Sequence, residues 1–485
     1  MLSHDTINSD AAIIPGSKDF LIKKRMKPFV FTKTSRIPAP VQDVFQWHER
    51  PGALERLVPP WDPLDVVFKS PGIDRGARTV MKIPAHPLPV KLTWVAAHTG
   101  YTRNKSFQDQ QIKGPFKHWV HTHLFTPEGN HCRMEDRVEF ALPFYMLGAL
   151  GGNAAIHHKL NRIFRYRHAT LKQDLAHHRS RNNQRPLTIL ISGASGVVGS
   201  ALIPFLTTGG HRVIRLVRNP SPQHPNEIYW DPFKGELDLK DIHAIDAAIH
   251  LSGENIGQGR WTRRKKQKII DSRNRTTRVL AQKLSHMAKP PRVFICASAI
   301  GFYGHRGDSI MTETNECGAD FISGVCNEWE TSASPAMDKG IRVAFLRIGV
   351  VLTPRGGALQ KFLLPFNLGM GGKIGSGSQY ISWISIDDLI YAIYHIINND
   401  ALHGPVNLVS PTPVTNARFT RTLGKVLKRP TLFTIPAGII QALYGEMGRE
   451  ILLASTRVMP QKIMDAGFDF RYPDLELAMR HLLGR

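Results

Sequence analysis

Cysteine is scarce in this chain: Cys132, Cys296, Cys317 and Cys326 are the only four among 485 residues. None stands in a CxxC pair or in a Cys/His set with zinc spacing, so no metal is expected. Four thiols in so long a chain also make a poor disulfide framework, and reduced thiols in a cytoplasm are the economical reading. Long apolar runs are missing too. The most membrane-like stretch, Phe140 to Ile156, is interrupted by Pro143, Gly148, Gly151, Gly152 and Asn153 and is shorter than a spanning helix. It reads as a buried strand end and loop, so no membrane span is expected. Residues 1–25 have neither a basic start nor an apolar stretch of signal-peptide length. They read as a leader on a cytoplasmic protein.

Acidic residues are few as well: 39 Asp and Glu against 63 Lys and Arg leave a net charge of +24. Such an excess invites a nucleic-acid partner. The charge is spread along the chain, however, with its densest spots at Arg260–Lys268 and along Lys159–Arg181. No basic-aromatic recognition motif accompanies either spot, so a solvated surface is the simpler reading and no nucleic acid is expected.

The length calls for more than one unit, and the polar stretch from Ser180 to Pro186 marks a linker at residues 181–187. Before it, in residues 26–180, strand patterns at Phe29–Ser35, Val66–Lys69, Arg78–Ile83, Val90–Ala97, Thr102–Gln108, His118–Phe125 and Cys132–Ala141 follow one another. Short helices are predicted at Val41–His48 and Leu54–Leu57. A long one then carries Ile156, Leu160, Ile163, Phe164, Leu171 and Leu175 on one face. This pattern implies an α+β sheet curled around a helix, a shape that can enclose a cavity. Beyond the linker, residues 188–410 alternate strand and helix. The strands Thr188–Ser192, Arg212–Val217, Ala247–Leu251, Val293–Ser298, Arg342–Ile348 and Val406–Val409 are nearly continuous apolar runs, as in a doubly wound parallel sheet buried on both faces. Residues 411–485 turn helical, at Asn416–Leu427, Pro436–Leu453 and Leu475–Leu483.

The strongest local signal is TILISGASGVVGSALIPFL. A strand runs into Gly193, Ser195, Gly196, Val197, Val198 and Gly199 and then into a helix. In this GxxGxxG spacing the first glycine permits a tight turn, the second lets the backbone approach a pyrophosphate, and the third lets helix and strand pack closely. The end of the second strand carries Arg215 and Arg218 with no acid, and Arg218 lies 19 residues after Gly199. A carboxylate there would hold a ribose 2′-hydroxyl, whereas a guanidinium binds a 2′-phosphate. The expected cofactor is NADP(H) rather than NAD(H).

Together with DAAIHLSGENI, CASAIGFYG, FLRIGVVL, GSGSQYISWISIDDL and MPQKIMDAGFDFRYPDLELAMRHLL, the glycine loop resembles the extended short-chain dehydrogenase/reductases, and more narrowly their epimerase-family proteins, over about residues 188–485. Residues 26–180 resemble the SRPBCC (START-like, helix-grip) ligand-binding superfamily, which implies an apolar ligand. The first resemblance implies that Leu251, Ser252 and Gly253 line the cofactor and that Ser298 faces the nicotinamide. Arg347 would close over it, and Trp383 and Asp387 would lie on the substrate side, although Asp387 can equally be a first-turn charge on the following helix. It also implies a catalytic Tyr-xxx-Lys pair on the helix after the fourth strand. That helix, Asp320–Glu330, has neither residue; Ile322 and Cys326 stand at those positions. Tyr303, helped by Ser298, is the candidate acid, but a phenol with a pKa of ~10 needs a nearby cation to act as a base. Three functions follow: an NADP(H)-dependent oxidoreductase or epimerase on a small molecule, a sensor or scaffold that binds NADP(H) without turnover, or a charge-driven binder of anionic surfaces with steep salt dependence.

Overall fold

Alternation of inward and outward side chains builds the first half of the molecule. The computed structural model describes residues 28–84, 90–142, 152–180, 185–221, 225–240, 242 and 244–485. The leader, part of the linker and most of the glycine-broken apolar stretch therefore lie outside the described residues. Strands β1 (Phe29–Ile37), β2 (Asp65–Lys69), β3 (Arg78–Pro84), β4 (Lys91–Thr102), β5 (Ser106–Lys113), β6 (His118–Glu128) and β7 (His131–Ala141) form one antiparallel sheet in the order β1-β7-β6-β5-β4-β3-β2. On β7, Cys132, Met134, Asp136, Val138 and Phe140 point inward, while Arg133 and Arg137 point to solvent. The break between β4 and β5 comes later than the sequence pattern suggests, because Asn104 turns the chain with φ 59°.

Helices α1 (Val41–Glu49) and α2 (Ala53–Leu57) fill the connection between β1 and β2. The long helix α3 (Asn153–Arg179) lays Leu160 and Phe164 on Phe31, Val138 and Phe140, and Leu171 and Leu175 on Phe45, Phe125 and Met134. Between the sheet and α3 a cavity of about 860 Å³ remains, walled by Trp94, Phe107, Phe116, Trp119, Ile163 and Phe164.

The second sheet has eight strands in the order β11-β10-β9-β8-β12-β13-β14-β15. These are β8 (Thr188–Ser192), β9 (Arg212–Val217), β10 (Glu227–Asp231), β11 (Glu236–Leu237), β12 (Ala247–His250), β13 (Val293–Ala299), β14 (Arg342–Ile348) and β15 (Gly404–Leu408). All pairings are parallel except β10–β11. The chain winds outward in both directions from β8, so the order reverses between β8 and β12. In a doubly wound sheet, ligands bind in the crevice outside the strand C-termini at that reversal. Crossover helices include α4 (Val197–Thr208), α5 (Arg263–Ser285), α6 (Phe321–Thr331) and α7 (Ile386–Asn398), and α8 (Asn416–Leu427) and α9 (Leu475–Leu483) follow. The helix expected over Pro436–Leu453 divides, because Gly445 turns with φ 58° after Tyr444 and a short π-helical turn follows at Gly448–Leu452.

The two sheets are joined through buried polar contacts. Arg56 on α2 is 6% exposed. Its Nε and Nη2 donate to both oxygens of Asp174 on α3 at 2.9 and 2.7 Å. Its Nη1 reaches Asp387 on α7 at 3.3 Å, and the Tyr391 hydroxyl donates to Asp174 at 2.9 Å. Around this cluster His177 stacks on Tyr391 at 4.0 Å, Arg50 donates to the Thr208 carbonyl, and Arg355 donates to that of Val58. No helix among the described residues is long and apolar enough to cross a membrane.

Candidate functional site

The glycine loop occupies the crevice at the β8/β12 reversal. Gly193 has φ 74°, and a Cβ there would lie 2.7 Å from the Leu251 carbonyl carbon and 2.9 Å from the Ser252 nitrogen. A Cβ on Gly199 would lie 2.4 Å from the Gly193 oxygen, whereas one on Gly196 would keep 3.2 Å from the same atom. The loop after β8 is thus pressed against the loop after β12 with no room for side chains. Gly196 caps α4 without a side-chain bond, so the amides of the first turn are left for a ligand, at the positive end of the helix dipole. Ser195 and Val197 are exposed beside the loop, and Val198 packs into the core below. A coenzyme diphosphate fits this cradle because its groove is backbone on both sides.

The walls of the crevice follow from the same loops. Leu251 and Ser252 are half-buried and Gly253 is exposed, with the Arg273 guanidinium 3.4 Å from where a Gly253 Cβ would sit. Arg273 also donates to the Glu254 carbonyl at 3.1 Å, and Glu254 pairs with Lys265 at 2.6 Å, which ties this loop to α5. At the end of β9, Arg215 is paired with Glu227 at 2.9 Å. Arg218 is exposed, and among the described residues it makes no hydrogen bond or ion pair. Under the loop, Ser192 Oγ lies 2.6 Å from His250 Nδ1, whose Nε2 meets Thr276 Oγ1 at 3.1 Å. Burial pushes His250 down to about 3, so its ring is neutral at physiological pH. Nothing in the sequence reading singled it out.

The candidate chemical residues form one closed network at the C-terminal ends of β13, β14 and β15. The Ser298 hydroxyl donates to Glu330 Oε1 at 2.7 Å. Arg347 grips the same carboxylate through Nε and Nη2, each at 2.9 Å, and its Nη1 donates to the Tyr303 hydroxyl at 3.0 Å. Tyr303 in turn donates to Asn407 Oδ1 at 2.7 Å. Its side chain is fully buried, and burial pushes its phenol up despite the neighbouring Arg347 charge and the two hydrogen bonds. The cation a tyrosine would need is therefore present, yet Arg347 is held by Glu330 and stacks on Phe302 at 3.4 Å. On α6, Ile322 packs under Gly301 and Cys326 is pushed up to about 12 by burial, so neither replaces the missing pair.

The two substrate-side candidates also turn inward. Trp383 is buried, and its Nε1 donates to the Thr412 carbonyl at 3.1 Å. Asp387 lies between Arg56 and His481, 3.3 and 3.0 Å away. Burial raises it, but the His481 hydrogen bond and the Arg56 charge outweigh that and hold it at about 2. The structure thus assigns the Asp387 carboxylate to the contact between the two sheets. Asn407 and Arg56 were missed because their partners lie 104 and 331 residues away in sequence, where no local spacing can show them.

Comparison with known proteins agrees with this arrangement. Residues 189–408 match the model of the NAD dependent epimerase/dehydratase family. Residues 37–157 match that of polyketide cyclase/dehydrase and lipid transport proteins, and residues 435–482 match a domain of unknown function. An epimerase family protein of Mycobacterium bovis is 39% identical over 297 residues, which is 61% of this chain and 98% of that protein. The human epimerase family protein SDR39U1 is 34% identical over 300 residues, 61% of this chain and all of that one. The solved structure of that human protein with NADPH aligns with a TM-score of 0.57 at 32% identity, covering 61% of this chain and 99% of that chain. A nucleoside-diphosphate sugar epimerase from Corynebacterium glutamicum aligns over 94% of this chain and 90% of its own, with a TM-score of 0.77 and 36% identity.

Proposed function

This chain belongs to the NAD-dependent epimerase/dehydratase family, and on that premise we propose that it is an NADP(H)-dependent oxidoreductase or epimerase acting on a small molecule at the C-terminal edge of the parallel sheet. The carrying observation is the pairing of a cradle whose Gly193 and Gly199 leave no room for a Cβ with an exposed Arg218 at the end of the neighbouring strand, which makes no hydrogen bond or ion pair among the described residues. The cradle suits a diphosphate, and an exposed guanidinium at the end of the adjoining strand suits the extra phosphate of NADP(H). The human relative solved with NADPH supports the same choice.

When bound, the nicotinamide gives or takes a hydride. The protein's share is to hold it against a substrate and exclude water. Ser298 stands at the end of β13, where the family resemblance puts the nicotinamide, and its lone pairs can orient a substrate hydroxyl while its own O–H is donated to Glu330. Arg347 keeps Glu330 fixed, and the Tyr303 hydroxyl accepts from Arg347 in turn. Isothermal titration with NADPH and NADH tests the binding half: NADPH should bind the more tightly, and Arg218→Glu should remove that preference. A panel of carbonyl substrates under single-turnover conditions tests the chemical half.

A second reading is favoured by one observation. The Tyr303 hydroxyl donates to Asn407 and accepts from Arg347, so Tyr303 lacks the freedom of the missing Tyr-xxx-Lys pair. A coenzyme-binding sensor or scaffold needs no such group. NADPH binding without hydride transfer to any member of the panel decides for it.

A further inference from the structure

The helix-grip cavity has a polar floor that the coenzyme reading leaves unused. In the ladder, Asp109 on β5 stands opposite both His98 on β4 and His121 on β6, and His123 stands opposite Asp136 on β7. The two-residue period of β6 turns His121 and His123 to the same inner face. Asp109, His121 and His123 all line the cavity. One ligand atom from each lies within 4.8 Å of the other two, with His121 Nδ1 3.4 Å and His123 Nε2 4.0 Å from Asp109 Oδ2. Around a tetrahedral ion with bonds of 2.0–2.1 Å, such donors stand about 3.4 Å apart, so only a small inward movement separates this set from a coordination shell.

The opposite ring nitrogens both face Asp136. His121 Nε2 and His123 Nδ1 lie 3.0 and 2.6 Å from the same oxygen of Asp136. The other oxygen meets His168 Nε2 at 2.5 Å, and His168 Nδ1 meets Ser35 Oγ at 2.7 Å. Asp136 is 1% exposed, behind the floor. The Asp136 carboxylate is hydrogen-bonded to His121 Nε2, while His123 Nδ1 beside it is buried without a hydrogen bond of good geometry; a carboxylate behind an imidazole fixes ring orientation, which is how metal-ligating histidines are held. Here the near nitrogens of both rings converge on the Asp109 carboxylate. Beside them, the Nδ1 atom of His98 is buried without a hydrogen-bond partner.

We propose that Asp109, His121 and His123 form a site for a divalent transition metal on the cavity floor, with its remaining positions open to an oxygen donor on an apolar ligand. Two imidazoles and one carboxylate suit Zn²⁺, Fe²⁺ or Co²⁺ better than Ca²⁺ or Mg²⁺, which take oxygen ligands. Three protein ligands with an open remainder are the arrangement of metal sites that also take a substrate or solvent molecule. The aromatic walls around Trp94, Phe107, Phe116 and Trp119 accept the apolar body, and His98 is placed to hydrogen-bond the metal-bound oxygen. This inference stands apart from coenzyme binding, because the site belongs wholly to the first sheet.

The test uses the full chain, stripped with a chelator and titrated with Co²⁺ as the probe. The expected result is a saturable visible d–d band at one equivalent per chain, abolished by Zn²⁺ in competition. Asp109→Asn and His123→Gln should each remove the band, and Asp136→Asn should weaken binding about 10–100-fold. An exposed control, Lys113→Gln, should change nothing. Circular dichroism checks folding of each variant, and if His123→Gln is unfolded the Asp109→Asn variant carries the decision. No saturable band, or undiminished Co²⁺ affinity in a folded Asp109→Asn protein, overturns the assignment.

Discussion

Arg56 is the perturbation that most directly probes how the two halves are held together. Its guanidinium makes two bonds to Asp174, one to Asp387 and one to the Tyr391 hydroxyl, all among groups that are almost wholly buried. Arg56→Met keeps much of the volume but leaves two carboxylates in the interface, Asp174 with only Tyr391 and Asp387 with only His481. Removing one partner of a buried pair costs about 3–5 kcal/mol, because the orphaned charge has lost its water and gained nothing. At about 2–4 °C per kcal/mol for units of this size, calorimetry should show melting at least about 6 °C lower. The first half should also begin to melt separately from the second. Arg56→Met combined with Asp174→Leu removes the main stranded charge and should recover most of the loss. A single variant that melts within a degree of the parent refutes the reasoning, and so does a double variant no better than the single one.

Four further outcomes follow from the same geometry. Gly199→Ala places a methyl group 2.4 Å from the Gly193 oxygen, between two backbones that cannot yield, so saturable NADPH binding should disappear; an unchanged Kd by titration contradicts the cradle. Arg218→Glu should weaken NADPH by about tenfold or more, the worth of a charge-assisted bond at 1.5–3 kcal/mol. It should leave NADH little altered, and an equal loss for both coenzymes counts against the assignment. Tyr303→Phe strands Asn407 Oδ1 and Arg347 Nη1, so urea denaturation should show a loss of about 1–3 kcal/mol with coenzyme affinity retained. Asp387 titrates at about 2 in the fold against 3.8 ordinarily, so its share of stability is present above about pH 4 and disappears as the pH falls through 2. In Asp387→Asn this acid-limb slope should flatten in pH-dependent melting curves.

Much of the parallel sheet was legible because burial on both faces leaves unbroken apolar runs with sharp ends. Thr188–Ser192, Arg212–Val217 and Arg342–Ile348 are strands over the same residues that the sequence pattern marks. Strand β10, Glu227–Asp231, gave no such run, since it lies near the sheet edge with Tyr229 40% exposed. The glycine loop was legible for a different reason. A Cβ at Gly193 or Gly199 would meet backbone atoms at 2.4–2.9 Å, so each of those two positions separately demands glycine. The Ser298–Glu330–Arg347–Tyr303–Asn407 network leaves no comparable mark, because a polar side chain in sequence does not name its partner. Even the resemblance to a reductase family, which pointed to Ser298 and Arg347, said nothing of the carboxylate they share.

Strand β6 shows where hydropathy and register disagree. Its sequence, HWVHTHLFTPE, offers Val120 and Leu124 as one set of alternating positions and Trp119, His121, His123 and Phe125 as the other. Burial of apolar groups alone does not settle which set faces inward, and a slip of one residue exchanges the faces. The ladder decides it. Phe125 pairs with Met134, and His123 pairs with Asp136, both on the inner face of β7, so both histidines must face α3 while Leu124 is 37% exposed. The strand thus buries two imidazoles and leaves two aliphatic side chains on its outer face, against the usual preference. Such local violations persist where something other than core packing is gained. On β6 the inner face gains two imidazoles beside the Asp109 carboxylate, their far nitrogens against Asp136, at the floor of the cavity walled by Trp94, Phe107, Phe116 and Trp119. The same reasoning explains why Cys/His spacing gave no warning of the proposed metal site: its residues come from two paired strands, and only the pairing brings them together.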